Sequence, residues 1–235
     1  MVTIVGTILL TGFFGTAAWL LYIKDLLKKP SAKDSRVYFT IILAIGLAVR
    51  VIAAVSFKGH TTDMGCFIGW SDRIFKDGIS QFYLSDSFHD YPPGYVYVMY
   101  VLGAIKNTFN LRNEALWLLI KLPSIICDLF IGVMVYKAAT KRVGGMCAAA
   151  LCALVIFNPA LILNGSVWGQ VDSVLGIFCV ASIWLACEKR LIPSFFAFGA
   201  AVLIKPQALF IAPILVFAVV EQVILDKDEF RKSFL

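Results

Sequence analysis

Charge is scarce in this sequence. Of 235 residues only 15% are Asp, Glu, Lys or Arg, and there are two histidines, whereas about a quarter of a typical soluble domain is charged. That shortage excludes a large soluble domain. Metal-ligand spacing is missing too: among the six cysteines, Cys127, Cys147, Cys152, Cys179 and Cys187 lie in or at the ends of apolar runs, and no pair is spaced for a metal. They read as small packing residues. Neither a low-complexity segment nor an internal repeat is visible. The first apolar run, 2–23, has no basic start and no small-residue cleavage site, and it passes into Lys24, Lys28 and Lys29. It reads as a membrane helix and not as a secretory leader.

What fills the sequence is hydrocarbon: 60% of the residues are apolar and the mean hydropathy is +0.85. A helix crosses a bilayer with about 20 apolar residues, and roughly six stretches of that kind are present. The expected fold is therefore an all-α, polytopic transmembrane bundle forming a single membrane domain over 1–235. Helices are expected at 2–23, 37–57, 114–136, 145–163 and 172–187, and as a proline-broken pair at 192–204 and 207–223. The net charge of +6 sits in short links, which excludes nucleic acid as a partner and indicates orientation. Links 24–36, 137–144 and 188–191 are basic and belong on the cytoplasmic side, whereas the segment 58–92, with Asp63, Asp72, Asp77, Asp86 and Asp90, belongs outside. That arrangement holds together if 94–107 is re-entrant or interfacial and makes no net crossing.

The outward segment 58–112 carries the chemistry. In TTDMGCFIGWSDRIFKDGI, Met64, Phe67, Ile68, Ile74 and Phe75 share one helical face opposite Asp72, Arg73, Lys76 and Asp77, the pattern of an interfacial helix. Asp63 stands at its start, either as an N-cap or as a general base at the water–lipid boundary. The turn HDYPPG offers His89, Asp90 and Tyr91 on a chain stiffened by Pro92 and Pro93. Charges inside apolar runs cost several kcal/mol unless paired or facing water. They are Arg50, Lys121, Asp128, Asp172 and Lys205. Lys121 and Asp128 could form a structural pair on one helical face. Lys205, before Pro206, could snorkel or serve an anionic head group. The polar string NGSVWGQVDS places Trp168, Gln170 and Asp172 on the same outward side as Asp63 and Lys205.

The order of these elements resembles the polytopic GT-C glycosyltransferases. It comprises the outward Asp63, the interfacial helix, the DYPP turn, IKLPSIICDLFIG, NPALILNGSVWGQVDS and AVLIKPQALFIAPILVF, and it covers nearly all of the chain from about residue 37 onward. The strongest likeness is to mannosyltransferases related to the enzyme that adds the second mannose of GPI anchors. Endoplasmic-reticulum glucosyltransferases that extend dolichol-linked oligosaccharides are similar in the DYPP turn and in Lys205 to Gln207. The resemblance implies a polyprenyl-phosphate sugar as donor, a glycan or lipid-linked acceptor, and direct displacement with Asp63 as general base. It further implies Lys205 near the donor phosphate, with Arg50 or Lys121 as candidates to support it, and Gln170 and Asp172 match the family's polar string for sugar or lipid-phosphate binding; His89, Asp90 and Tyr91 on the rigid turn, and Trp168, are candidates for sugar or acceptor binding.

No cofactor is expected, the donor being a substrate, and no metal is expected, although one branch of these enzymes uses one. Members of the family are longer than this chain, which makes a second chain supplying further helices a candidate partner. The membrane would be the plasma membrane in a prokaryote and the endoplasmic reticulum in a eukaryote. The competing readings are a membrane carrier without chemistry and an inactive remnant of the same fold. A carrier would place its charges at the midplane between repeats.

Overall fold

The computed structural model describes residues 32–84 and 88–225. The run expected as a helix at 2–23, Asp86, and the charged end from 226 lie outside them. Among the described residues all regular structure is helical. Among the described residues three helical stretches are, by length and composition, long and apolar enough to cross a membrane: Ser35–Ser56, Asn113–Val143 and Gly145–Trp168, the last taken across a break after Ile156. Shorter apolar helices occupy Asp172–Cys187, Leu191–Ile204 and Pro206–Gln222. This is the all-α polytopic class that the composition implies, because backbone polar groups in lipid must be satisfied within the helix itself.

The principal helices are α1 (Ala32–Ser56), α2 (Thr61–Asp77), α3 (Pro93–Thr108), α4 (Asn113–Val143), α5 (Gly145–Ile156), α6 (Asp172–Cys187), α7 (Leu191–Ile204) and α8 (Ala212–Val219). Local chemistry sets several boundaries. Pro93 opens α3 and Pro206 follows α7, because proline lacks an N–H and keeps the preceding residue extended; Lys205 accordingly has φ −153° and ψ 137°. The run expected over 145–163 is interrupted after Ile156. There Pro159 restarts the helix, with the Asn158 side-chain oxygen accepting from Ala160 N at 2.9 Å. The restarted helix then widens into π geometry over Ile162–Trp168, the local form that often marks functional sites.

The chain divides into two compact units. The first takes residues up to Val49 together with Leu129–Leu161. Within it, Phe39 stacks on Tyr136 at 4.1 Å between ring centroids, and the Ser35 and Tyr136 hydroxyls are 3.2 Å apart. The second unit, Arg50–Asp128 and the chain from Ile162, contains the polar chemistry. Its core gathers Met64, Phe67, Trp70 and Ile74 of α2 with Tyr95, Val96 and Met99 of α3, and with Leu116, Val174 and Ile204. The apolar face of α2 thus packs into protein.

Helix α2 and helix α3 pack closely at Gly103. A Cβ there would collide with the Ser71 carbonyl and lie 3.1 Å from Phe75 Cβ. Gly103→Ala is therefore expected to cost roughly 1–3 kcal/mol, the range for overpacking a close contact, read as a lowered unfolding midpoint in detergent. An unchanged midpoint would show that the two helices separate freely. Helices α6 and α7 form an antiparallel hairpin fastened by reciprocal bonds, Ser182 Oγ to Ser194 O at 2.9 Å and Ser194 Oγ to Ser182 O at 2.7 Å. Antiparallel pairing brings the start of α6 and the end of α7 to one end of the hairpin. Asp172 and Lys205 stand at those two positions.

Candidate functional site

Asp63 is the third residue of α2, and the residue preceding that helix, His60, makes no side-chain cap. The Asp63 carboxylate is directed elsewhere. Its Oδ2 accepts from Trp168 Nε1 at 2.6 Å and from Gln170 Nε2 at 2.7 Å, and His60 Nδ1 lies 3.5 Å away. The turn between those donors depends on Gly169, at φ +94°, where a Cβ would also collide with Met64 Sδ. A left-handed residue there reverses the chain as it leaves the π segment, and glycine adopts that conformation without a Cβ penalty. The turn is secured by Gly169 N and Gln170 N, which both donate to Asn164 O, at 3.1 and 3.0 Å. His60 N donates to Trp168 O at 2.8 Å, and the two rings stack at 4.7 Å.

Burial alone would push the Asp63 carboxyl up. The hydrogen bonds from Trp168 and Gln170, with His60 and Lys205 nearby, outweigh it and hold Asp63 below the ordinary aspartate value. Burial, reinforced by Tyr95 and by the carboxylates of Asp172, Asp90 and Asp63, pushes the Tyr91 phenol far above its ordinary range. Tyr91 is thus a neutral hydroxyl at any physiological pH.

Lys205 stands at the extended break after α7. Its Nζ donates to Asp172 Oδ1 at 2.5 Å and to Gln170 Oε1 at 3.2 Å, and lies 5.4 Å from the Tyr91 ring centroid. The other Asp172 oxygen accepts from Asn164 Nδ2 at 2.9 Å. A continuous polar chain therefore runs Asp63, Gln170, Lys205, Asp172, Asn164.

Two cavities adjoin that chain. One, of about 330 Å³, is bordered by Asp63, Asp90, Gln170 and Lys205 on its polar side and by Phe67, Trp70, Phe88 and Tyr91 on its aromatic side. The other, of about 400 Å³, is bordered by Asn164, Trp168, Asp172 and Leu175. Gln170, Lys205 and Gln207 border both. Of the residues singled out in the sequence, Asp63, Asp90, Tyr91, Trp168, Gln170, Asp172 and Lys205 are brought together here. Three are not. His89 packs against Phe82 and Tyr83, with ring centroids 5.4 and 5.5 Å away, and borders neither cavity.

Arg50 and Lys121 likewise border neither cavity, although Lys121 Cε lies 3.6 Å from where a Cβ at Gly169 would stand. Arg50 Nε donates to Asp128 Oδ2 at 2.8 Å, with both side chains fully buried. Lys121 Nζ donates to the carbonyls of Phe57 at 2.5 Å and Ala54 at 3.2 Å, where a cation satisfies the last carbonyls of α1 and opposes its dipole. Asp128 is thus partnered by Arg50 and not by Lys121. Sequence reasoning passed over His60, Asn164 and Gln207 as site residues. The i, i+3 spacing of His60 before Asp63 was the available signal for the first.

The described residues thus link a carboxylate, an amide and an ammonium at an aromatic-lined cavity in an all-α protein with membrane-length apolar helices. The chain belongs to the ALG6, ALG8 glycosyltransferase family, whose model matches residues 78–235. It is accordingly a membrane glycosyltransferase of the GT-C type. No curated protein and no solved structure matches the chain. Asp63 precedes the matched span, yet its carboxylate is bonded to Trp168 and Gln170 within it.

Proposed function

We propose that the protein moves a hexose from a polyprenyl-phosphate donor to a hydroxyl of a glycan or lipid-linked acceptor, on the outward face of its membrane, with Asp63 as general base. The observation that carries this reading is the asymmetry of the Asp63 carboxylate. Oδ2 is held by Trp168 and Gln170, whereas Oδ1 accepts no hydrogen bond from the described residues, and the side chain, 29% exposed, borders the aromatic cavity. A carboxylate gripped by one oxygen presents the other in a set direction, as proton abstraction from a hydroxyl requires.

The reaction is a single displacement. The acceptor oxygen bonds to the anomeric carbon while the bond from that carbon to the phosphate oxygen breaks. The hydroxyl proton passes to Asp63, the polyprenyl phosphate departs with the bonding pair, and the anomeric configuration inverts. Lys205 faces both cavities and supplies positive charge toward the departing phosphate. The hexose is mannose on the strongest of the sequence resemblances and glucose on the likeness in the DYPP and Lys-Pro-Gln elements. The basic links and the acidic segment 58–92 support the outward placement and a multi-pass topology.

The test is transfer by the purified chain in liposomes, supplied in turn with polyprenyl-phosphate mannose, polyprenyl-phosphate glucose and the matching nucleotide sugars. Transfer from a polyprenyl-phosphate sugar is expected, and transfer from a nucleotide sugar alone would sink the donor class. Lys205→Gln is expected to reduce kcat/KM for the donor by about 10- to 100-fold, the scale of one charge-assisted contact. Unaltered donor kinetics would remove Lys205 from the phosphate site. Donor binding without turnover would favour the carrier reading.

A further inference from the structure

Among the described residues, Gln170 is the side chain that touches both the candidate base and the candidate cation. Its amide nitrogen donates to Asp63 Oδ2 at 2.7 Å, and its amide oxygen accepts from Lys205 Nζ at 3.2 Å. An ammonium can only donate and an ionised carboxylate only accept, so the two partners together fix which way round the amide sits. The backbone of Gln170 is anchored as firmly. Its N–H donates to Asn164 O at 3.0 Å, and its carbonyl accepts from Ser124 Oγ at 2.7 Å. Trp168 grips the same Asp63 oxygen with its only polar atom, and its ring is stacked on His60.

The geometry points to Gln170 as a positioning residue: with Trp168 it holds Asp63 by Oδ2, leaving Oδ1 as the proton acceptor, and it ties the base to Lys205. This inference rests on the reading of Asp63 as base and Lys205 as phosphate cation, and it assigns Gln170 to the base and not to the sugar. The polar groups that hydrogen-bond a carboxylate favour its ionised form. Loss of the Gln170 amide should therefore raise the pH at which Asp63 takes up a proton. The other titratable groups facing Asp63 are His60 and Cys66 flanking it in sequence, Asp90 and Tyr91 on the proline turn, and Lys205. Gln170→Met leaves each of them in place, so a change can be assigned to the amide.

The experiment uses the full chain in two measurements. Infrared difference spectra across pH follow protonation of the Asp63 carboxyl, identified by its absence in Asp63→Asn. Steady-state transfer from a polyprenyl-phosphate hexose gives kcat and KM over the same range. Gln170→Met is expected to raise the Asp63 midpoint by about one pH unit and to move the acid limb of kcat the same way. It should lower kcat about tenfold or more, with KM changed by less than about twofold. Gln170→Glu, of the same size, should raise the midpoint further, because it sets a second carboxylate beside the first.

An unmoved midpoint in a folded Gln170→Met protein overturns the assignment. So does a raised KM at unchanged kcat and acid limb, which a direct sugar contact would produce. Should Gln170→Met fail to fold, Gln170→Glu and Trp168→Phe give the same reading from either side of the carboxylate. A raised midpoint together with full transfer by Asp63→Asn would support the coupling of Gln170 to Asp63 and overturn the choice of base.

Discussion

Asp63→Asn is expected to lower sugar transfer by about 10²- to 10⁴-fold, the contribution of a well-placed general base, while leaving the fold and donor binding close to wild type. The asparagine carbonyl can occupy the position of Oδ2 and accept from Trp168 and Gln170, which donate at 2.6 and 2.7 Å in the parent. The pocket therefore keeps its shape and loses only the capacity to take a proton. Equal transfer by the two forms would reject the base.

The pH dependence follows from the depressed Asp63 value. A base works when deprotonated, so transfer is retained until pH falls through that value and is lost below it. The acid limb due to Asp63 should lie beneath the ordinary aspartate range of about 3.9, provided the protein stays folded there.

The second large effect is on stability. Arg50→Leu strands Asp128, fully buried and now bonded to Arg50 at 2.8 Å, without its compensating charge. Removing one partner of a buried pair typically costs about 3–5 kcal/mol, and the loss should appear as a large drop in the unfolding midpoint in detergent. The double change Arg50→Leu with Asp128→Leu should recover much of it, since a buried pair replaced by apolar groups is often neutral or stabilising. The double variant also separates two roles for Arg50. Recovered stability with recovered transfer fits the structural pair, whereas recovered stability without transfer would return Arg50 to the donor phosphate.

Membrane class and helix breaks were legible because their causes are local. Scarce charge and long apolar runs specify helices in lipid, and Pro93 and Pro206 mark helix boundaries that the sequence announces, whereas the break before Pro159 falls inside a run that reads as one helix and Pro123 lies within the unbroken Asn113–Val143. The aromatic and aliphatic spacing of α2 announced its buried face, in which Met64, Phe67 and Ile74 all take part. Pairing among polar groups was less legible. Lys121 and Asp128, seven residues apart on one helix, invited a local pair, yet each has a partner more than sixty residues away in sequence. Nothing local distinguishes an ammonium that caps another helix from one that meets a carboxylate on its own.

The sequence by itself determined that this chain is an all-α membrane protein, that its polar residues cluster in a few strings between apolar runs, and that Lys205 would sit at a helix break. Those outcomes depend on hydrophobicity, on proline, and on residues within a turn or two of one another. Only the tertiary structure decided that Asp63 meets Trp168 and Gln170 more than a hundred positions later. It also decided that Lys205 meets Asp172, that Arg50 meets Asp128, and that His89, Arg50 and Lys121 border neither cavity. The reason is geometric. The antiparallel α6–α7 hairpin and the left-handed turn at Gly169 bring distant segments to one end of the unit, and such approach is set by how helices pack, with no trace in the spacing of residues along the chain.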